Sequence, residues 1–227
     1  MSQQPEASGA SPLPPAGLGG EALAVFDLDG TLIRGDSFLP FLISYAGRRR
    51  RLWPMIVLPF YLALYACRIL SDRDAKERLI GAFFREEPLE RIAAHSERFC
   101  SVWIQNRLRD DSLKKLREHQ AAGHRVILVS ASPDLFVPQV ARLLGINDIV
   151  CTRVLFENGY CSGTLTGPNC KGENKVLLLQ EYLGIKAPPD HSYGYGDSRS
   201  DFPLLRWVRQ GYLVRRRGIN PIGPEPK

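Results

Sequence analysis

The sequence predicts an α/β fold: a doubly wound, mostly parallel sheet with a helical insertion after its first strand. Three observations carry this expectation. After residue 110, short apolar runs alternate with helical patterns, the order of a sheet with helices on both faces. The first apolar run, Ala22–Phe26, stops abruptly at acids, as a buried strand does where it opens on a site. Between these regions, residues 36–110 read as helical throughout.

Taken in order, residues 1–20 are rich in Ser, Pro, Gly, Ala and Gln and lack both a basic region and an apolar run. They predict a disordered tail and no secretion signal. The first strand runs into Asp27-Leu-Asp-Gly-Thr31. Alternate side chains of an extended chain share a face, so Asp27 and Asp29 project together. Two adjacent carboxylates repel unless a cation lies between them or one is protonated. Alone, the pentapeptide reads equally well as a solvated turn, because Asp-Gly is a turn signal.

Within the insertion, Arg48-Arg49-Arg50-Arg51 precedes Leu52–Cys67, 16 residues without a charge. That is short of the roughly 18–20 residues of a membrane span, and Pro54 and Pro59 interrupt it. A buried insertion helix and a segment lying on an anionic membrane surface both fit.

The remaining elements are a helix over 111–121, a strand over 125–130, a helix over 133–144 and a strand over 148–152. A hairpin over 154–165 turns at Asn158-Gly159. A helix over 173–183, a strand over 192–195, a helix over 199–208 and a strand over 211–214 follow. Residues 218–227 hold three prolines and predict an irregular tail.

Three of these junctions carry chemistry. Val126–Val129 runs into Ser130, a hydroxyl placed to meet a phosphate beside backbone N–H groups, while Ser132 reads as a helix N-cap with Pro133 at the first helical position. Lys175 falls in the first turn of a helix, where a cation is unfavourable unless it faces an anion; Lys171 reads as a solvated lysine. Gly196-Asp197-Ser198 ends a strand, with Asp201 four residues beyond Asp197; a cap at Asp197 or Ser198 is the plainer reading.

Together, in this order, the four stretches resemble the haloacid dehalogenase (HAD) superfamily of phosphotransferases, over about residues 22–217. The resemblance implies a Rossmann-like core over 21–35 and 111–217 and a C1-type helical cap over 36–110. It implies Asp27 as the nucleophile of an aspartyl-phosphate and Asp29 as proton donor and then base. Thr31, Ser130, Ala131 and Lys175 would hold phosphate, and Asp27, the Asp29 carbonyl and Asp197 would bind Mg2+, with Asp201 in support. Mg2+ takes oxygen ligands and keeps several waters, which suits that set.

Within the superfamily the chain resembles phosphoserine phosphatases in motif order and cap position. They carry a glutamate nine residues after the nucleophile and two glycines after the second-motif serine; here those positions are Asp36 and Ala131-Ser132. It is more similar to the phosphatidylglycerophosphatase C family, on its proline-bearing apolar cap segment, Ser132-Pro133, Cys170–Lys175 and Gly194–Leu205. Three readings stand: a phosphatase of a membrane lipid phosphate, a phosphatase of a small soluble metabolite, and a non-catalytic binding protein on the same scaffold. The five cysteines form no metal pattern and suit reduced thiols in the cytoplasm, with peripheral attachment to the inner membrane face as the accompanying expectation. The four histidines read as solvent or rim residues. The net charge of +6 favours anionic partners; no nucleic acid is expected, because no recognition motif accompanies the arginines.

Overall fold

A computed structural model describes residues 22–49 and 52–223. The centre of the fold is β1 (Leu23–Phe26), buried along its whole length. It pairs in parallel with β2 (Arg125–Pro133) on one side and β6 (Ser192–Gly196) on the other. β3 (Asp148–Thr152) extends the sheet beyond β2, and β7 (Gln210–Arg215) and β8 (Gly218–Pro221) beyond β6, in the order β3-β2-β1-β6-β7-β8. The order reverses at β1, which opens a crevice at the carboxyl ends of β1, β2 and β6.

Strand alternation divides the core between two faces. Ala24 and Phe26 of β1 join a cluster with Phe41, Ile92, Leu116 and Val140. Leu23 and Val25 join Leu179, Leu183 and Leu204. The first face carries α1 (Phe38–Arg49), α4 (Leu89–Phe99), α5 (Asp110–Ala121) and α6 (Val137–Leu144). The second carries α7 (Glu173–Leu183) and α8 (Phe202–Trp207).

The insertion holds α1, α2 (Leu52–Ala66), α3 (Asp72–Phe84) and α4, followed by a π-helical turn and a 3-10 turn through Arg107. Its entrance and exit run side by side: Arg34 N–H donates to the Arg107 carbonyl at 2.7 Å and Arg109 N–H to the Leu32 carbonyl at 2.9 Å. The hairpin of β4 (Val154–Glu157) and β5 (Tyr160–Leu165) turns at Asn158 and Gly159, both at positive φ, as the Asn-Gly pair required.

Three expectations are corrected, and one open alternative, the placement of the apolar segment, is narrowed. β2 runs through Ser130, Ser132 and Pro133, and α6 begins only at Val137, so Ser132 is not an N-cap; pairing to β3 across an irregularity between Ser130 and Pro133 outweighs the local helix-start signal. Residues 218–221 are no irregular tail but an edge strand antiparallel to β7, a place where a terminal proline is tolerated. His95 and His119 are buried, not solvent or rim residues, because their rings find partners indoors: His119 Nε2 meets Tyr195 OH at 2.9 Å, and His95 Nε2 meets Ser44 Oγ at 2.9 Å. α2 is not a buried helix: Trp53 (69 %), Ile56 (64 %) and Phe60 (60 %) face outward, while a stripe including Leu58 packs inward. No described helix is long and apolar enough to cross a membrane. Arg48 and Arg49 end α1, whereas Arg50 and Arg51 lie outside the described residues. All five cysteines are free, four of them buried.

Candidate active site

Asp27 leaves the end of β1 and is 5 % exposed. Lys175, in the first turn of α7, reaches it across the sheet end and donates to Asp27 Oδ1 and Asp201 Oδ1, each at 2.6 Å. Thr31 Oγ1 donates to Asp27 Oδ2 at 3.1 Å. Burial works against the Lys175 charge, but the two carboxylates outweigh it and hold the ammonium above its ordinary range. Burial also pushes Asp27 up to about 7 against the pull of Lys175, with Asp201 and Asp29 adding to the rise. Burial, then Asp201, pushes Asp197 up to about 6. One ammonium cannot neutralise three acids, and the excess negative charge falls on Asp27 and Asp197.

That excess is what a cation would relieve. Carboxylate oxygens of Asp27, Asp197 and Asp201 lie within 4.8 Å of one another. Asp201 is already engaged: besides Lys175, its Oδ2 accepts the N–H groups of Asp197 at 3.2 Å and Ser198 at 3.0 Å and the Ser198 hydroxyl at 2.7 Å. These donors and Lys175 overcome burial and hold Asp201 below the usual carboxylate range. Among the described residues no side-chain donor bonds the Asp197 carboxylate. The all-oxygen donor set suits Mg2+. Gly30 makes the approach feasible: it has φ +79°, and a Cβ there would lie 2.0 Å from Asp197 Oδ2.

Asp29 points into the same cavity. Its Oδ1 accepts Ser37 N–H at 2.7 Å, and its Oδ2 accepts the Ser132 hydroxyl at 2.6 Å. Burial, with Asp36 nearby, pushes its carboxyl up, and the bonds from Ser132 and Ser37 pull the other way. Ala131 lines the cavity. Ser130 and Thr31 are fully buried behind it; Ser130 Oγ accepts Ser132 N–H at 3.1 Å.

The cavity measures about 1220 Å3, and the insertion forms its far wall with Phe38, Leu39, Tyr61, Leu62 and Leu79. Two lysines cross it. Lys76 of α3 donates to the Ala131 carbonyl and to Asn169 Oδ1, the latter at 2.7 Å; burial pulls it down to about 8. Lys171 is not simply solvated: it pairs with Asp72 of α3 at 2.9 Å, because the cap brings an acid over it. Sequence reasoning missed Ser37, Asp72, Lys76 and Asn169, and it misread Ser132. Only Ser132 left a signal, as a hydroxyl where phosphoserine phosphatases carry glycine.

Residues 24–206 match the family model described as haloacid dehalogenase-like hydrolase. The chain belongs to the haloacid dehalogenase-like hydrolases. It is a HAD hydrolase, and proteins named as phosphatases are among its relatives. Protein CicA of Caulobacter vibrioides is 34% identical over 199 residues, 86% of each chain. A histidinol-phosphatase of Neisseria meningitidis is 28% identical, over 85% of this chain and 89% of the other. A solved structure from Bordetella pertussis superposes with a TM-score of 0.69 at 27% identity, covering 82% of this chain and 86% of that one.

Proposed function

We propose that this HAD hydrolase is an Mg2+-dependent phosphatase that cleaves phosphomonoesters through an aspartyl-phosphate on Asp27. The observation that carries the reading is the junction of Asp27, Lys175 and Asp201 at one end of a cavity whose wall also presents Asp29. Asp27 attacks phosphorus as the carboxylate, the form that Lys175 favours against the opposing effect of burial. As the ester P–O bond breaks, Asp29 gives its proton to the leaving oxygen. Asp29, now a carboxylate, takes a proton from water as that water attacks phosphorus, and Asp27 is released with inorganic phosphate. Lys175 offsets the charge that gathers on Asp27 and the phosphoryl oxygens. Thr31 holds Asp27, and the Ser130–Ala131 segment supplies phosphate contacts. Asp27, Asp197 and the Asp29 carbonyl would hold Mg2+, which supplies electrostatic screening of an anionic substrate.

The wall of the cavity supports one reading of the substrate class. At about 1220 Å3 the cavity exceeds the roughly 300–1,000 Å3 of ordinary ligand pockets, and its cap side sets Phe38, Leu39, Tyr61, Leu62 and Leu79 beside the charged Asp72 and Lys76. α2 lines it from within through Tyr61 and Leu62 and turns Trp53, Ile56 and Phe60 outward. These features favour a phosphate carried on an apolar body, a lipid phosphate such as phosphatidylglycerophosphate, met at an anionic membrane surface by α2 and Arg48–Arg51. The second reading, a small soluble metabolite, draws on the relative named histidinol-phosphatase.

A panel of phosphatidylglycerophosphate, phosphoserine and histidinol phosphate, with and without anionic vesicles and with Mg2+ or chelator, tests these readings. Turnover of the lipid at least about tenfold faster than of the others, abolished by chelator, is expected. Preference for a soluble ester regardless of vesicles would move the second reading ahead. No turnover of any ester would leave a binding protein.

A further inference from the structure

Both oxygens of Asp29 are held, and by different parts of the chain. Ser37 N–H, just before α1, takes Oδ1 at 2.7 Å, and the Ser132 hydroxyl, on β2, takes Oδ2 at 2.6 Å. Ser132 is itself fixed: it is 3 % exposed, its N–H donates to Ser130 Oγ at 3.1 Å, and its Oγ lies 3.3 Å from Ser37 Oγ. The irregular register of β2 between Ser130 and Pro133 spans this residue.

An aspartate is poorly fixed by its own torsions, because the rotation of its carboxyl plane is broad. One donor leaves that plane free to swing about the bond it makes. Two donors on separate oxygens, from separate elements, set it. Each oxygen keeps a second lone pair, and Asp29 lines the cavity. We infer that Ser132 is a positioning residue for proton transfer, its hydroxyl fixing the Asp29 carboxyl plane so that the proton is delivered to the leaving oxygen. A hydroxyl suits this task better than an ammonium. It is uncharged, and it can donate to Oδ2 whether Asp29 is ionised or protonated, which leaves the single proton of the acid on a second lone pair, free for the leaving oxygen. The inference rests on Asp29 being the proton donor.

Two aryl esters of nearly the same shape separate positioning from general damage. 4-Nitrophenyl phosphate releases a stabilised phenolate that needs little protonation; phenyl phosphate releases a poorer leaving group. kcat/KM reports the steps up to phosphoryl transfer, where Asp29 acts as acid. Ser132→Ala should lower kcat/KM for phenyl phosphate at least about tenfold more than for 4-nitrophenyl phosphate, and Ser132→Thr, which keeps the hydroxyl, should restore the wild-type ratio. In the Asp29→Asn background the same change should alter the ratio no further. An equal fall for both esters, or an unchanged ratio in a folded Ser132→Ala protein, overturns the inference. If Ser132→Ala does not fold, Ser132→Gly asks the same question without the Cβ. Asp29→Asn alone reads the underlying assignment. If it depresses both esters equally, Asp29 is not the acid and both readings fall; if it is selective while Ser132→Ala is not, only the role of Ser132 falls.

Discussion

The end of the sheet and the outer face of α2 break the ordinary rule of burial in opposite directions. At the sheet end, Asp27, Lys175 and Asp201 are charged and almost fully enclosed. On α2, Trp53, Ile56 and Phe60 are apolar and open to solvent. The first departure is satisfied internally, by an ammonium shared between two carboxylates at 2.6 Å. The second is left largely uncovered by the described chain. Buried charge that is paired points to chemistry performed on a ligand brought in. An exposed apolar face points outward, to a surface that would cover it.

Substitutions sharpen this contrast. Asp27→Asn keeps volume and removes the proposed nucleophile. It should cost at least about 10⁴ in kcat, above about 5 kcal/mol, with the melting temperature close to wild type. Activity within about tenfold of wild type would sink the covalent mechanism.

Lys175→Met should act on stability as well as rate. It leaves Asp27 and Asp201 buried without their cation, a loss of about 3–5 kcal/mol, read by denaturant unfolding in chelator. Mg2+ should recover part of it. Lys171→Ala removes only a half-exposed pair with Asp72 and should cost no more than about 1 kcal/mol. Equal losses for the two lysines would erase the distinction between buried and surface charge drawn here.

A buried polar cluster behind the same sheet supplies a control away from the catalytic acids. His119 meets Tyr195 OH at 2.9 Å and His124 Nδ1 at 2.8 Å. Burial, then His124, pulls its pKa from 6.5 to about 4. The unfolded chain therefore takes up a proton that the fold refuses. The contribution is fully present above about pH 6.5 and is lost as pH falls towards 4, on the order of 1–3 kcal/mol. Unfolding midpoints across that range should fall less steeply in His119→Gln, and Mg2+ should leave the difference unchanged. A slope identical in the variant would mean His119 is already protonated in the fold.

The smallest effect on folding belongs to α2. Ile56→Gln with Phe60→Gln should change stability by no more than about 0.5 kcal/mol while lowering co-sedimentation with anionic vesicles. The residual binding should become more salt-sensitive, because apolar insertion is unscreened and arginine attraction is not. A loss of several kcal/mol would show that the face is packed after all. Unchanged sedimentation would remove the membrane from the substrate argument.

Much of this was readable along the chain because it is local. Apolar runs, an Asn-Gly turn, a strand ending in Asp27 and a lysine in a helix's first turn each follow from neighbours a few residues apart, and the observed β1, β4–β5 and α7 match them. The convergence of Asp27, Lys175 and Asp201 was legible only through the order of the motifs, since no spacing rule joins residues 148 apart in sequence. Two local signals failed where long-range pairing overruled them. Ser132-Pro133 reads as a helix start, yet strand pairing carries β2 past it; Pro221 sits in a segment that reads as tail, yet the open edge of β7 recruits it. Ser132 with Asp29, Lys76 with Asn169, and Lys171 with Asp72 are separated by 103, 93 and 99 positions. A hydroxyl, an amide or a lysine is unremarkable in sequence, and its role depends on what faces it. Sheet pairing supplies that for Ser132, and closure of the helical insertion over the sheet end supplies it for Lys76 and Lys171.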